Sequence, residues 1–220
     1  MPKNRPNRPR RKAKQERARE TVDIVMEAAA RVLTERGYAA ATTNRIAETA
    51  GVSVGTLYEY FANKEEVFDA LIQRELEALV VAVQGQKLSP DIPVDEKLAQ
   101  LVVAAMGAMR FGPEFLRALE QVPGASFQRH LAEARRLVTR FVKEILEAHR
   151  SELRVTDLDL AAFMVVAAAE GVGGNATSDL FDERLSTELA ALLKVYLTGT
   201  EPSTEPSTKA DGRRAAPVDA

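Results

Sequence analysis

From about Thr21 onward, apolar residues recur at helical spacing, and glycines, prolines and cap residues cut that pattern into separate segments. No alternating apolar run is flanked by Asn-Gly or Asp-Gly, so nothing reads as a β-hairpin. The expected fold is therefore all-α, with about nine helices. In the first, Val25, Ala29, Val32, Leu33 and Arg36 keep i, i+4, i+7 spacing. Gly37 then supplies the left-handed stop that lets Tyr38 fold back on Leu33. Thr43 is placed to cap a short helix over Asn44 to Ala50, ended by Gly51, and Ser53 to cap a third helix running to about Phe61. Asn63 opens a longer helix with Glu66 as its capping-box partner and an apolar stripe from Val67 to Val83. Gly85 and Ser89-Pro90-Asp91-Ile92-Pro93 close it. Five more helices are expected near 94–110, 113–122, 126–150, 156–172 and 182–198, with Thr156 and Asp159 as a capping box and Gly199 as a stop.

A formal net charge of −2 conceals a polar division of the chain. Residues 1–20 carry nine basic side chains against Glu16 and Glu20, a net +7, which leaves the remainder at −9. A basic arm on an acidic body suits a polyanion that touches one end only, and equally suits a solubilising tail. The expected organisation is a disordered basic arm over 1–16, a small helical head over 17–62, a larger helical body over 63–198 and a disordered tail over 199–220. That tail holds a duplicated EPST and no core-forming residues. There is no cysteine, which excludes disulfides, thiolate nucleophiles and cysteine-held metals and fits a cytoplasmic protein. No run approaches the ~18 uninterrupted apolar residues of a membrane span, and no apolar h-region follows the basic start, so neither membrane nor secretion is expected.

The stretch from Thr43 to Phe61 encodes two short helices around the turn Ala50-Gly51-Val52-Ser53. Ile46, Ala47, Val52, Leu57 and Phe61 can bury against one another, since Leu57 and Phe61 lie about 40° apart on a helical wheel. Gly55, Thr56 and Glu59 then point outward, with Tyr58 and Tyr60 at the flanks. Such a wedge suits the major groove, which a recognition helix enters with its N-terminal turn, here Ser53, Val54, Gly55 and Thr56. Gly55 clears space for the duplex, Thr56 bonds a base edge and Val54 meets a thymine methyl. Thr43, Tyr58, Tyr60 and Lys64 reach phosphates. The same spacing also fits a helical hairpin inside an ordinary bundle.

The run TTNRIAETAGVSVGTLYEYFANKEEVF resembles the DNA-binding signature of the tetracycline-repressor (TetR) family, with a dense match over residues 25–71. The resemblance implies a three-helix head, a linking helix and an all-α body that binds a small-molecule effector and dimerises. It also implies DNA contacts at Thr43, Ser53, Val54, Gly55, Thr56, Tyr58, Tyr60 and Lys64, with Arg45 a further candidate. Members are usually repressors whose ligand moves the linking helix.

In the body, Met106, Met109, Phe111, Phe115, Phe127, Phe141, Phe163 and Met164 are soft side chains that line a cavity or fill an ordinary core. Arg110, Arg117, Glu120, His130 and Asn175 are positioned to orient a ligand, or are simply exposed. The ligand set expected is Met106, Met109, Arg110, Phe115, Phe127, His130, Phe163 and Asn175. Residues 158–169 are apolar nearly all round, and Leu185, Leu189, Leu192, Leu193 and Tyr196 form a second stripe. Paired with their symmetry mates, these two helices make a four-helix dimer bundle. Two heads about 34–36 Å apart then read an inverted repeat of duplex DNA.

Enzyme chemistry finds little footing. His130 and His149 lie nineteen residues apart, roughly 28 Å along one helix, too far to share a metal. No phosphate-binding Gly-Lys-Ser/Thr loop and no Gly-x-Ser-x-Gly elbow occurs. Neither an enzyme nor a cofactor is expected. The remaining alternative is a non-catalytic helical adaptor whose basic arm meets acidic partners.

Overall fold

The computed structural model describes residues 8–86, 91–177 and 179–199, and every regular element among them is helical. In chain order these are α1 (Arg8–Ala40), α2 (Thr43–Ala50), α3 (Val54–Tyr58), α4 (Lys64–Gln84), α5 (Val94–Ala108), α6 (Gly112–Leu119), α7 (Ala125–Ala148), a 3₁₀ turn (Arg150–Glu152), α8 (Leu158–Asn175) and α9 (Glu183–Thr198). The all-α expectation and its nine helices hold among the described residues.

Local signals placed most ends correctly. Ser53 caps α3 by accepting the Thr56 N–H at 2.9 Å, and Asn63 caps α4 by accepting the Glu66 N–H at 2.8 Å. Glu66 returns the favour one residue further out, accepting the Ala62 N–H. Gly51 and Gly199 stop α2 and α9 with φ of 69° and 75°, a conformation open to glycine at little cost.

Four expectations shift. The cap of α2 is Thr42, whose Oγ1 accepts the Arg45 N–H. Thr43 instead enters the first turn, which frees its hydroxyl for another partner. Helix α3 stops at Tyr58 rather than Phe61, because Phe61 turns inward to the core. The cap of α8 is Asp157 rather than Thr156, accepting from Leu160 N at 3.0 Å. Helix α1 starts at Arg8, so residues 8–16 are not the disordered arm their charge suggested. Past Pro9, that stretch consists of strong helix formers, Arg, Lys, Ala, Gln and Glu, and extending an anchored helix needs only propagation, not a new nucleus. Residues 1–7 and the tail beyond Gly199 lie outside the described residues.

Two cores organise the packing. The first joins α1, α2, α3 and the start of α4 through Val25, Leu33, Ile46, Leu57, Phe68 and Leu71, all fully buried. Helix α6 belongs to this core as well, through Phe115, Ala118 and Leu119. The second core joins the end of α4 to α5, α7, α8 and α9 through residues such as Val83, Leu98, Leu146, Val166 and Leu193. Pro93 offers α5 no side-chain cap, so Glu152 caps it from a distance by accepting the Val94 N–H at 3.0 Å. The other oxygen of Glu152 meets His149 Nδ1 at 2.6 Å, and His149 Nε2 meets the buried Lys97 ammonium. This polar chain pins α5 to the end of α7.

Helix α8 is long and apolar enough, by length and composition, to cross a membrane. Its two carboxylates pair with cations of α7, however: Asp159 with Lys143 at 2.7 Å and Glu170 with Arg135 at 2.8 Å. Its buried face, with Ala161, Ala162, Val165 and Val166, belongs to the second core.

Because Thr42 makes the capping bond, Thr42→Ala lowers unfolding free energy by about 1 kcal/mol, whereas Thr43→Ala changes it by less than half of that. Urea denaturation of the two variants checks the order; equal losses would contradict the assignment of the cap.

Candidate nucleic-acid interface and body cavity

The turn between α2 and α3 is rigid. Gly51 reverses the chain, and Val52 N–H donates to Ala47 O at 3.0 Å while Gly51 N–H donates to Glu48 O. Ile46, Ala47 and Leu57 close the inner face with no exposure to solvent. Outward, Ser53 and Gly55 are exposed, and Val54 and Thr56 are half-buried. Ser53 Oγ and Thr56 Oγ1 lie 2.8 Å apart, so the two hydroxyls are mutually oriented. Tyr58 is 52% exposed and its phenol meets Thr43 Oγ1 at 3.2 Å, tying the first turn of α2 to the last of α3. Tyr60 is exposed beside it. An added Cβ at Gly55 would meet nothing closer than Ser53 Oγ at 3.7 Å, so the fold itself does not require glycine there.

Two candidates serve the fold first. Arg45 donates from Nη1 to the Ala40 carbonyl at 2.7 Å, satisfying the end of α1. Lys64 donates to the Tyr38 carbonyl at 3.1 Å, with its ammonium 3.8 Å from the centre of the Tyr38 ring. An ammonium has three donors, so this leaves Lys64 others to offer.

Tyr38 is the residue that sequence reasoning undervalued. Its ring meets Phe68 at 5.4 Å between centroids, and its hydroxyl donates to Glu65 Oε1 at 2.8 Å. Partners 27 and 30 residues away leave no local pattern to read. Burial, then the hydrogen bond and negative charge of Glu65, push the Tyr38 phenol up to about 12. The same hydrogen bond holds Glu65 below the usual carboxylate range.

In the body, the larger of two adjoining cavities has a volume of about 500 Å³ and gathers Met109, Arg110, Phe115, Phe127 and Phe163 from the expected ligand set. Phe111 and Glu120 also line it. The smaller, about 90 Å³, takes in Met106 and shares Met109. His130 and Asn175 line neither cavity. His130 Nε2 sits 3.0 Å from Asp69 Oδ1, bracing α7 on α4, and the Asn175 amide donates to the Gly171 carbonyl at the end of its own helix. Arg117 is likewise engaged, with Ala176 O and Glu114. Nothing local in the sequence points to Glu75, Arg135 and Glu170, which line the cavities as well. Arg135 and Glu170 form a two-point pair at the wall common to both cavities. Arg110 bonds Glu75 of α4 at 3.3 Å and Glu27 of α1 at 3.1 Å. Burial disfavours its charge, but the two carboxylates outweigh that and hold its pKa above the ordinary value.

A tyrosine with a raised folded-state pKa contributes stability that is complete below its unfolded pKa and lost as pH rises through the folded one. Head stability therefore declines across roughly pH 10 to 12 in the parent, and Tyr38→Phe removes that component of the decline. Denaturation melts over this range check it; identical alkaline profiles would contradict it.

With this geometry established, comparison with known proteins places it. Residues 25–71 match the family described as bacterial regulatory proteins, tetR family, and residues 93–197 match the tetracyclin repressor-like C-terminal domain. The HTH-type transcriptional regulator YhgD of Bacillus subtilis (strain 168) is 23% identical over 148 residues, 65% of this chain and 77% of that one. Other curated regulators match over shorter stretches, and the chain spans 40% and 26% of the length of two of them. Among solved structures, the fatty acid degradation regulator FadR from Bacillus halodurans superposes with a TM-score of 0.65 at 26% identity, over 79% of this chain and 94% of that one. FadR from Bacillus subtilis in complex with stearoyl-CoA gives 0.64 at 20% identity, over 79% and 97%, a likeness of fold. Of the readings that the residues left open, adaptor and enzyme give way: the chain belongs to the tetR family of bacterial regulatory proteins and is a ligand-responsive, DNA-binding transcription regulator.

Proposed function

We propose that the chain is a cytoplasmic repressor that binds an inverted-repeat operator as a homodimer and leaves it when a small, largely apolar effector fills the body cavity. The observation that carries this reading is the double engagement of Arg110. One side chain lines the cavity and also grips Glu27 on α1 and Glu75 on α4, so whatever enters the cavity meets a residue that holds the head. Base reading falls to Val54 and Thr56, with Gly55 leaving room for the duplex, and phosphate contact to Thr43, Ser53, Tyr58, Tyr60 and Lys64, with Arg45 close by. The effector is expected to touch Met109, Arg110, Phe115, Phe127 and Phe163.

The dimer reading rests on what one subunit leaves uncovered. Leu160, Phe163 and Met164 on α8 and Leu192 on α9 stand exposed, Leu192 at 61%. A second copy laid across α8 and α9 buries them in a four-helix bundle. The proposed division of labour runs from a head over 17–62 to a body over 63–198.

The direct test is binding to duplex DNA upstream of the chain's own gene. Affinity should fall linearly with salt on logarithmic axes, because phosphate contacts release counterions. Sequence-blind binding, or none at low salt, would reject the reading. Two variants sharpen it. Gly55→Ala is accepted by the free fold and raises its stability by up to about 1 kcal/mol, while operator affinity drops roughly tenfold or more; an unchanged affinity would show that this face does not meet the duplex. Arg110→Gln costs less than about 1 kcal/mol of stability, as befits a half-exposed ion pair. It lowers operator affinity several-fold, because the head loses its brace; parent-like affinity would dismiss Arg110 as the link.

A further inference from the structure

The two body cavities share a wall made by Leu79, Met109, Leu131, Arg135 and Glu170. Beyond that wall the inner chamber is lined by aliphatic residues of the second core, Val102, Val138 and Val165 among them, and Ala105 forms part of its surface. Before it, the outer chamber carries both signs of charge, Arg110 and Arg135 against Glu75, Glu120 and Glu170. Met109 is the pliant member of the wall, an unbranched side chain with three rotatable bonds standing just past the end of α5. Its tip lies against bare backbone: a Cβ on the buried Gly173 would fall 3.3 Å from Met109 Cε and 3.6 Å from Sδ. Helix α8 therefore leaves the thioether room that any larger residue at 173 would take.

Resting on the cavity's proposed role as the effector site, we propose that the effector is an unbranched amphiphile whose tail displaces Met109 and runs into the inner chamber, which measures the length of the tail. At about 90 Å³ the chamber is smaller than the ~150 Å³ void known to accept a benzene ring. A benzene-sized ring is too large for it, whereas a few methylenes fit. Away from Arg135 and Glu170, which pair with each other at the shared wall, its lining is apolar and gives no partner to a polar terminus, so the polar end stays in the outer chamber, where further hydrogen-bonding side chains stand.

The test uses the full-length chain and two homologous series, n-alkanoates and n-alkyltrimethylammonium salts of about six to fourteen carbons, titrated calorimetrically below micelle formation. Affinity should climb about fourfold per added methylene, the value of burying one CH₂, and then level off where the inner chamber is full. The two series separate which charge the outer chamber accepts, and levelling in either supports the proposal. Ala105→Leu fills the inner chamber from its own lining, so levelling comes a few carbons earlier while the shortest homologues bind as in the parent, which also shows that the variant is folded. Met109→Ala removes the gate and strengthens binding of long homologues more than short ones. A levelling point that Ala105→Leu does not move, or affinity indifferent to length, overturns the proposal. So does failure of both series to bind a chain that still binds its operator, in which case the repressor reading stands and the tail chamber falls. A chain that shows the length profile but binds no duplex supports the chamber and rejects the repressor instead.

Discussion

Helix α4 belongs to both cores, and that sharing governs the rest of the molecule. Its first half buries Val67, Phe68, Leu71 and Ile72 with the head, and its second half buries Val83 with the body. No loop interrupts its 21 residues, which span about 31 Å at 1.5 Å per residue. The head therefore has no hinge of its own at this joint. Close-packed interiors transmit displacement rather than absorb it, so a rotation of α4 among the body helices reorients the recognition turn as one piece. Helix α6 adds a second hold by placing Phe115, Ala118 and Leu119 in the head core. The body thus grips the head at two places, and the outer cavity lies against both.

What the sequence showed and what it withheld divide along a physical line. Helix caps act within three or four residues, so Ser53, Asn63 and Gly199 were legible as letters. Where two cap-competent residues stood side by side, as at Thr42 and Thr43, pattern alone had no means to choose between them. The inner face of the recognition pair, Ile46, Ala47, Leu57 and Phe61, was legible for the same local reason. Contacts across the fold were not. Arg135 with Glu170, Arg110 with Glu27, and Tyr38 with Glu65 join residues separated by 27 to 83 positions. Glu27, Glu65, Arg135 and Glu170 read in sequence as solvated surface, Tyr38 as a local contact of Leu33 and Arg110 as a ligand contact, and none of these readings names the distant partner. His130 shows the converse error: a histidine in a body rich in methionine and phenylalanine invited a ligand role, yet its imidazole faces Asp69 on α4.

The basic N-terminal stretch makes a related point about composition. Its charge suggested an unordered arm, whereas residues 8–16 continue α1. Charge density and helix propensity reside in the same residues here, Lys, Arg and Glu. A helix already anchored by Val25, Ala29 and Leu33 settles the matter in favour of propagation.

The inner chamber carries an energetic argument of its own. A void of about 90 Å³ in a packed core costs on the order of 2 kcal/mol at about 24 cal/mol per Å³. An apolar tail that fills it recovers contacts the core lacks, so part of the affinity comes from the protein's own deficit. Binding alone moves nothing, since a ligand shifts an equilibrium only by its difference in affinity for two states. On the proposal above, that difference would come from adjacency. Met109 and Arg110 are consecutive residues in the turn that joins α5 to α6, one packed against Gly173 between the chambers and the other bonded to α1 and α4. On that proposal, a tail that pushes Met109 aside would strain the same turn that positions Arg110 and loosen the grip on the head, so that insertion of the tail and release of the brace would be coupled through two neighbouring residues.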